Sequence, residues 1–252
     1  MAADPSGGFL VVPRGPGLLA YAAVLLAAWW AFWVIAGFPL ITYHVLMSAV
    51  LIPLVAWRQP TVSATLSRIP LPVPLRFIAL AYAAVIAEET LVGTLASLLA
   101  EGDPAAWADR VRQFITLNLF VFTGPILALA LHARLCAPHR WELVVMAGGW
   151  GLFAEAILQR MLSYPLLAGL LVWPTMVIYA LIFLPATLSI APSRGTRRPP
   201  FLLRAVLTWA LAFALSIPVI LTVEHLRDTT PGLFPPCEYT GCADPAPAPA
   251  AD

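Results

Sequence analysis

Residues 76–101 read RFIALAYAAVIAEETLVGTLASLLAE, and between Arg76 and Glu101 the only charges are the adjacent pair Glu88 and Glu89. At 1.5 Å of rise per residue, about 20 apolar residues cross the hydrocarbon core of a bilayer, so this stretch reads as one membrane-spanning helix. A carboxylate at mid-bilayer costs about 2.5–3.5 kcal/mol even on the lenient insertion scale. Two adjacent ones require partners, protons or a cavity, which makes the pair a candidate functional site.

The rest of the chain fits the same solvent. Of 252 residues, 61% are hydrophobic and 11% charged, with a mean hydropathy of +0.86, too little polar surface for a water-soluble domain of this length. Apolar runs of spanning length fall near 17–37, 39–57, 77–100, 114–134, 141–161, 165–190 and 201–223. This predicts an all-α polytopic transmembrane helical bundle of about seven spans. The first two runs form one uncharged tract from Arg14 to Arg58, which Gly37-Phe38-Pro39 divides. The run at 141–161 is the least apolar, because it holds Glu142, Glu155 and Arg160.

Arginine placement gives the orientation. With seven spans, ten arginines (Arg14, Arg58, Arg68, Arg76, Arg134, Arg140, Arg194, Arg197, Arg198, Arg204) fall on one side and four (Arg110, Arg112, Arg160, Arg227) on the other. The positive-inside rule then puts the N-terminus inside and the C-terminus outside. The first apolar run exceeds the 7–15 residues of a signal-peptide core and is expected to stay as a helix. The organisation read from the sequence is a short cytoplasmic N-terminal segment (1–16), a transmembrane domain (17–227) and a disordered Pro/Ala-rich exoplasmic tail (228–252). All fourteen cationic residues are arginine, a bias that points to a GC-rich prokaryotic genome and hence to a prokaryotic cytoplasmic membrane. A net charge of +1 gives no basis for nucleic-acid binding; the expected partners are the lipid bilayer and another membrane protein or membrane-associated substrate.

Glu88 and Glu89 point about 100° apart on a helix, so one is expected to face the bundle interior and the other a neighbouring groove. Gly93 and Ser97 follow Glu89 at four-residue steps and form a small-residue strip against which a second helix can approach. A further intramembrane acid, Glu155, sits in a local sequence that resembles the Glu88 region at an offset of 67 residues, which raises an internal repeat as one explanation and chance as the other. Gln159 and Arg160 are its polar neighbours by spacing, and Gly148, Gly149 and Gly151 offer close approach upstream. Tyr43, His44 and Asn118 lie at similar depth on other spans. Glu88, Glu89 and His44 would together supply two carboxylates and an imidazole for a divalent metal; the competing reading of His44 is a hydrogen-bonded packing residue. Cys237 and Cys242, both in the tail, would form an exoplasmic disulfide or remain two thiols.

Glu88-Glu89-Thr90-Leu91-Val92-Gly93 resembles the opening signature of the CAAX-protease and bacteriocin-processing family of intramembrane hydrolases, Glu-Glu-x-x-x-Arg, with glycine in place of the arginine. Phe114-Ile115-Thr116-Leu117-Asn118 is similar to the family's Phe-x-x-x-His helix with asparagine for histidine, Glu155 to Arg160 keeps the first acid and the arginine of the signature, and no His-x-x-x-Asn occurs. The resemblance covers about a dozen residues and implies glutamates acting as general bases toward water. Three readings follow. The broadest is a structural or accessory membrane protein anchored by buried acids; the others are a proton-coupled transporter and a divergent intramembrane hydrolase.

Overall fold

The computed structural model describes residues 51–136, 138–163, 165–190 and 199–236, with scattered positions between 17 and 47 that include Tyr43. The described chain is helical, and no strand occurs among the described residues. We number its helices α1 (Ile52–Ser67), α2 (Val73–Leu95), α3 (Trp107–Val121), α4 (Thr123–Cys136), α5 (Arg140–Ala154), α6 (Ile157–Ser163), α7 (Pro165–Leu188) and α8 (Phe201–Thr229).

Three of these segments are long and apolar enough to cross a membrane singly: Val73–Glu101, Leu171–Leu188 and Phe201–Thr229. Two bent helix pairs, α3 with α4 at 47° and α5 with α6 at 61°, each count as one more candidate span if the pair crosses as a unit, giving three to five candidate spans among the described residues. The predicted runs 17–37 and 39–57 lie mostly outside those residues. The stretch 58–76, which the sequence assigns to a loop, is largely helical, because α1 continues to Ser67. Its outward face there is polar, with Arg58, Thr61, Thr65 and Arg68 exposed, while Gln59 is buried.

Helix α7 is the central element. In its most apolar window 61% of residues are buried, against 22% for α2 and α8, and it contacts α1, α2, α5 and α6. Pro165 occupies its first position, where a missing N–H costs nothing, and Pro174 and Pro185 lie inside it. The core joins Phe77, Phe122, Ile126, Met146, Tyr179 and Phe183, with Phe122 stacked on Tyr179 at 5.4 Å between ring centroids. The outward faces of α2 and α8, including Leu75, Ile86, Leu207, Ile217 and Leu221, remain exposed as a lipid-facing surface would.

Glycine sets the closest approaches. A Cβ on Gly93 would stand 2.6 Å from Val111 Cα, so α2 and α3 touch backbone to backbone at the strip read from the sequence, where Glu89 and Ser97 are also buried. Residues 228–236, assigned by composition to the disordered tail, finish α8 and then dock. Gly232 accepts from Arg112 and Gln113 on α3, at 3.0 and 3.3 Å, and Phe234 is buried. An aromatic residue with a pocket and two donors waiting for a carbonyl hold what composition alone assigns to solvent. Cys237, Cys242 and the rest of the tail lie outside the described residues.

Candidate functional site: an acidic centre at two helix breaks

Glu89 is 4% exposed and lies near the middle of the Val73–Glu101 span; Glu88 beside it is half-buried. Their backbones diverge by the helical step, yet two methylenes of reach bring the two carboxyls close enough to interact electrostatically. Tyr43 donates its hydroxyl to Glu88 Oε1 at 2.5 Å and is itself buried. Glu89 meets the Asn118 carboxamide from α3. Asn118 Nδ2 donates to Phe114 O at 3.3 Å.

Glu155 joins this centre from α5. It lies within electrostatic range of Glu89, and its Oε1 accepts from Tyr179 Oη on α7 at 2.9 Å. Tyr179 in turn stands within electrostatic range of Glu88, Glu89 and Tyr43. The acids, phenols and amide therefore converge from α2, α3, α5, α7 and the segment carrying Tyr43.

Both bent helix pairs break beside the centre. Asn118 lies one turn before Phe122, where α3 gives way to α4, and Asn118 O accepts the Phe122 N–H at 2.9 Å. Thr123 opens α4 and gives its hydroxyl proton to Leu119 O at 2.7 Å, which leaves its oxygen to accept from Tyr82 of α2 at 2.7 Å. The second break falls at Glu155 itself, the C-terminal cap of α5. Ala156 follows with φ +52°, the one non-glycine residue with positive φ among those described, and the chain restarts as α6 at Ile157. A left-handed L-residue costs about 1–2 kcal/mol, so the surroundings hold this turn against a local preference.

The break reorders the polar neighbours read from spacing. Gln159 would stack above Glu155 on a continuous helix; beyond Ala156 it is exposed, and Tyr179 supplies the hydrogen bond instead. The side chain of Arg160 lies outside the described structure, as does His44. Among the described residues no three His, Cys, Asp or Glu side chains are arranged to hold a metal ion, so a site built on Glu88, Glu89 and His44 rests on a residue beyond them. His139 and His225 are exposed, and His132 is buried at the far end of α4 against Thr208 Oγ1, 2.8 Å from its Nδ1.

Tyr179 is the member of the site that the sequence does not announce. It is one tyrosine in a long apolar helix, where such residues ordinarily pack. A signal exists on the partner helix: a Cβ on Gly151 would stand 2.5 Å from Tyr179 Cγ and Cδ2, so glycine leaves the place that the ring occupies. No family model matches the chain, and searches of curated proteins and of solved structures returned no match.

Proposed function

We propose that this chain is a seven-span protein of a prokaryotic cytoplasmic membrane whose Glu88/Glu89/Glu155 centre takes up and releases protons, as the titrating station of a proton-coupled carrier. The observation that carries the reading is that the Glu88 and Glu89 carboxyls sit side by side inside the bundle, with Tyr43 on Glu88, and that a third carboxyl, Glu155, lies in electrostatic range. Two adjacent buried carboxyls without a counter-ion between them are held most cheaply when one keeps its proton. Like charges this close inside a low-dielectric bundle titrate as one coupled system. Tyr43 and Tyr179 supply hydroxyls through which a proton can be handed on.

The helix breaks support the same reading. Irregular backbone at membrane depth is tolerated where protein buries it or a cavity meets it, and discontinuous helices recur at the ion sites of carriers. Five described crossings, counting each bent pair as one, plus the apolar runs at 17–37 and 39–57 make seven. That count puts the ten-arginine side in the cytoplasm, the N-terminus inside and the C-terminus outside. The co-transported species is apolar or membrane-associated.

A second reading has its own observation. Phe114-x-x-x-Asn118 lies against the helix of Glu88 and Glu89, with Asn118 close to Glu89, the placement that a divergent intramembrane hydrolase of the CAAX-protease and bacteriocin-processing type would use. An accessory protein that uses the acids only as anchors between helices would tolerate glutamine at all three positions.

The test is proton movement in proteoliposomes carrying a trapped pH dye under an imposed potassium diffusion potential. Wild-type protein should acidify the lumen faster than empty liposomes, and Glu89→Gln should abolish the difference. Wild-type flux in a correctly inserted Glu89→Gln variant would discard the proton reading.

A further inference from the structure

Three arginines that the sequence counts only as topological markers, Arg76, Arg140 and Arg204, are buried in the structure. Burying a charge is expensive unless it is paired. Arg204 of α8 meets that requirement, holding Glu142 of α5 through two contacts of 2.7 Å. Arg76 of α2 and Arg140 of α5 do not: among the described residues every group they bond is a carbonyl or a hydroxyl.

Both converge on the end of α7. Arg140 donates to Leu188 O at 3.0 Å, to Ile190 O at 3.0 and 2.7 Å, and to Ser63 Oγ of α1 at 2.6 Å, while Ser63 gives its own proton to Leu188 O at 2.9 Å. None of these bonds uses Arg140 Nη1. Arg76 donates to the intervening Ser189 O at 3.0 Å and, on its other side, to Ser67 O and Ile69 O at 3.0 and 3.2 Å, where α1 ends. Its Nε is buried and has no partner among the described residues. Arg68 stands between Ser67 and Ile69 in the chain, and it is exposed. Three arginines thus gather where the end of α1 meets the end of α7.

The charge there does not balance. The unpaired carbonyls at a helix C-terminus amount to about half a negative charge, so the ends of α1 and α7 together offset about one unit. Arg76 and Arg140 bring two, and Arg68 a third. No described carboxylate is placed to supply the rest. Of the thirteen acidic residues, three form the acidic centre and Glu142 is committed to Arg204. Five more lie at the opposite end of the bundle: Glu101 and Asp103 after α2, Asp109 in the first turn of α3, and Glu224 and Asp228 in the last turns of α8. The other four belong to segments 1–16 and 237–252, outside the described residues. The stretches that build the cluster, 58–76 and 188–204, contain no acid.

We propose that Arg68, Arg76 and Arg140 form a phosphate site that holds the headgroup of an anionic phospholipid. The position fits, because the ends of membrane-spanning helices lie at the depth of the headgroups, and basic pockets between such helices take anionic ones. Arg140 Nη1 and the Arg68 guanidinium are the donors left for phosphate oxygens, which the planar fork of arginine suits, and Arg76 adds its charge. Leu71, Val73 and Leu75 are exposed on the adjoining segment and offer apolar surface to the acyl chains.

Thermal unfolding in lipid nanodiscs tests this. Wild-type protein in discs of phosphatidylcholine is compared with protein in discs doped with phosphatidylglycerol, at equal ionic strength. The midpoint should be higher with phosphatidylglycerol by about 4 °C or more. Arg68→Gln and Arg140→Gln should each lose most of that gain, whereas Arg112→Gln, an exposed arginine at the opposite end, should keep it. Inorganic phosphate added to the phosphatidylcholine discs should not reproduce it. The proposal is overturned if phosphatidylglycerol gives no gain, if both cluster variants retain it, or if Arg112→Gln loses it equally, which would make it a general effect of charge. It is also overturned if inorganic phosphate alone gives the same gain, which would make the ligand a solute. Should Arg140→Gln fail to insert, Arg68→Gln decides alone, since its side chain takes part in none of the bonds above.

Discussion

Replacing Gly151 with alanine should detach Tyr179 from the acidic centre. The added Cβ would stand 2.5 Å from Tyr179 Cγ and Cδ2 and 3.0 Å from its Cβ, and the ring is already pinned from another side by Phe122 at 5.4 Å. Overpacking of this kind costs about 1–3 kcal/mol, and a displaced ring also gives up its 2.9 Å bond to Glu155, worth about 0.5–1.5 kcal/mol more. The expected loss is therefore about 2–4 kcal/mol, read by equilibrium unfolding in mixed micelles of increasing sodium dodecyl sulfate. A double-mutant cycle isolates the cause. In a Tyr179→Ala background there is no ring to strike, so Gly151→Ala should cost little, with a coupling of about 2 kcal/mol or more between the two sites. Tyr179→Phe, which removes the hydroxyl alone, should cost only the hydrogen-bond share. An equal cost for Gly151→Ala with and without the Tyr179 ring would refute the reasoning, since the destabilisation would then arise elsewhere on α5.

Further outcomes follow from single contacts. Glu142→Gln leaves the Arg204 charge buried without its counter-ion and should destabilise by about 3–5 kcal/mol, whereas the double change Glu142→Met/Arg204→Met should cost much less; the same unfolding assay compares them. Gly93→Ala puts a methyl 2.6 Å from backbone rather than from a yielding side chain, so about 1–3 kcal/mol or more should be lost, visible as a lower thermal aggregation midpoint in detergent. Ala156→Gly should be neutral or stabilising by up to about 1 kcal/mol, because glycine adopts φ +52° without strain, and Ala156→Val should destabilise.

What could be read from sequence is what local spacing encodes. The acids in α2 announce themselves because charge in an apolar run is expensive, and the four-residue spacing of Glu89, Gly93 and Ser97 marks the face that meets α3. Features that depend on distant pairs, or that carry no local signal, were not legible. Glu142 and Arg204 are 62 residues apart; the first reads as a flaw in a span and the second as a loop charge, and only folding turns them into one bond. The break at Ala156 has no glycine or proline to mark it, since tertiary contacts impose the turn on a good helix former. Tyr179 looks like any tyrosine of a buried helix until Gly151 is placed opposite it. The polar second half of α1 reads as a loop because Arg58, Gln59 and Pro60 end the apolar run, yet Gln59 and Ser63 face α7 and keep the helix docked.

If the Glu88/Glu89/Glu155 centre holds an exchangeable proton, infrared difference spectroscopy of the carboxyl carbonyl stretch reads it without a transport assay. Wild-type protein near neutral pH should show a protonated-carboxyl band that shifts in D₂O, diminishes as pH rises, and is lost or displaced in Glu89→Gln. A spectrum with no protonated carboxyl near neutral pH, or with a band left unchanged by glutamine at each of the three positions, would contradict it.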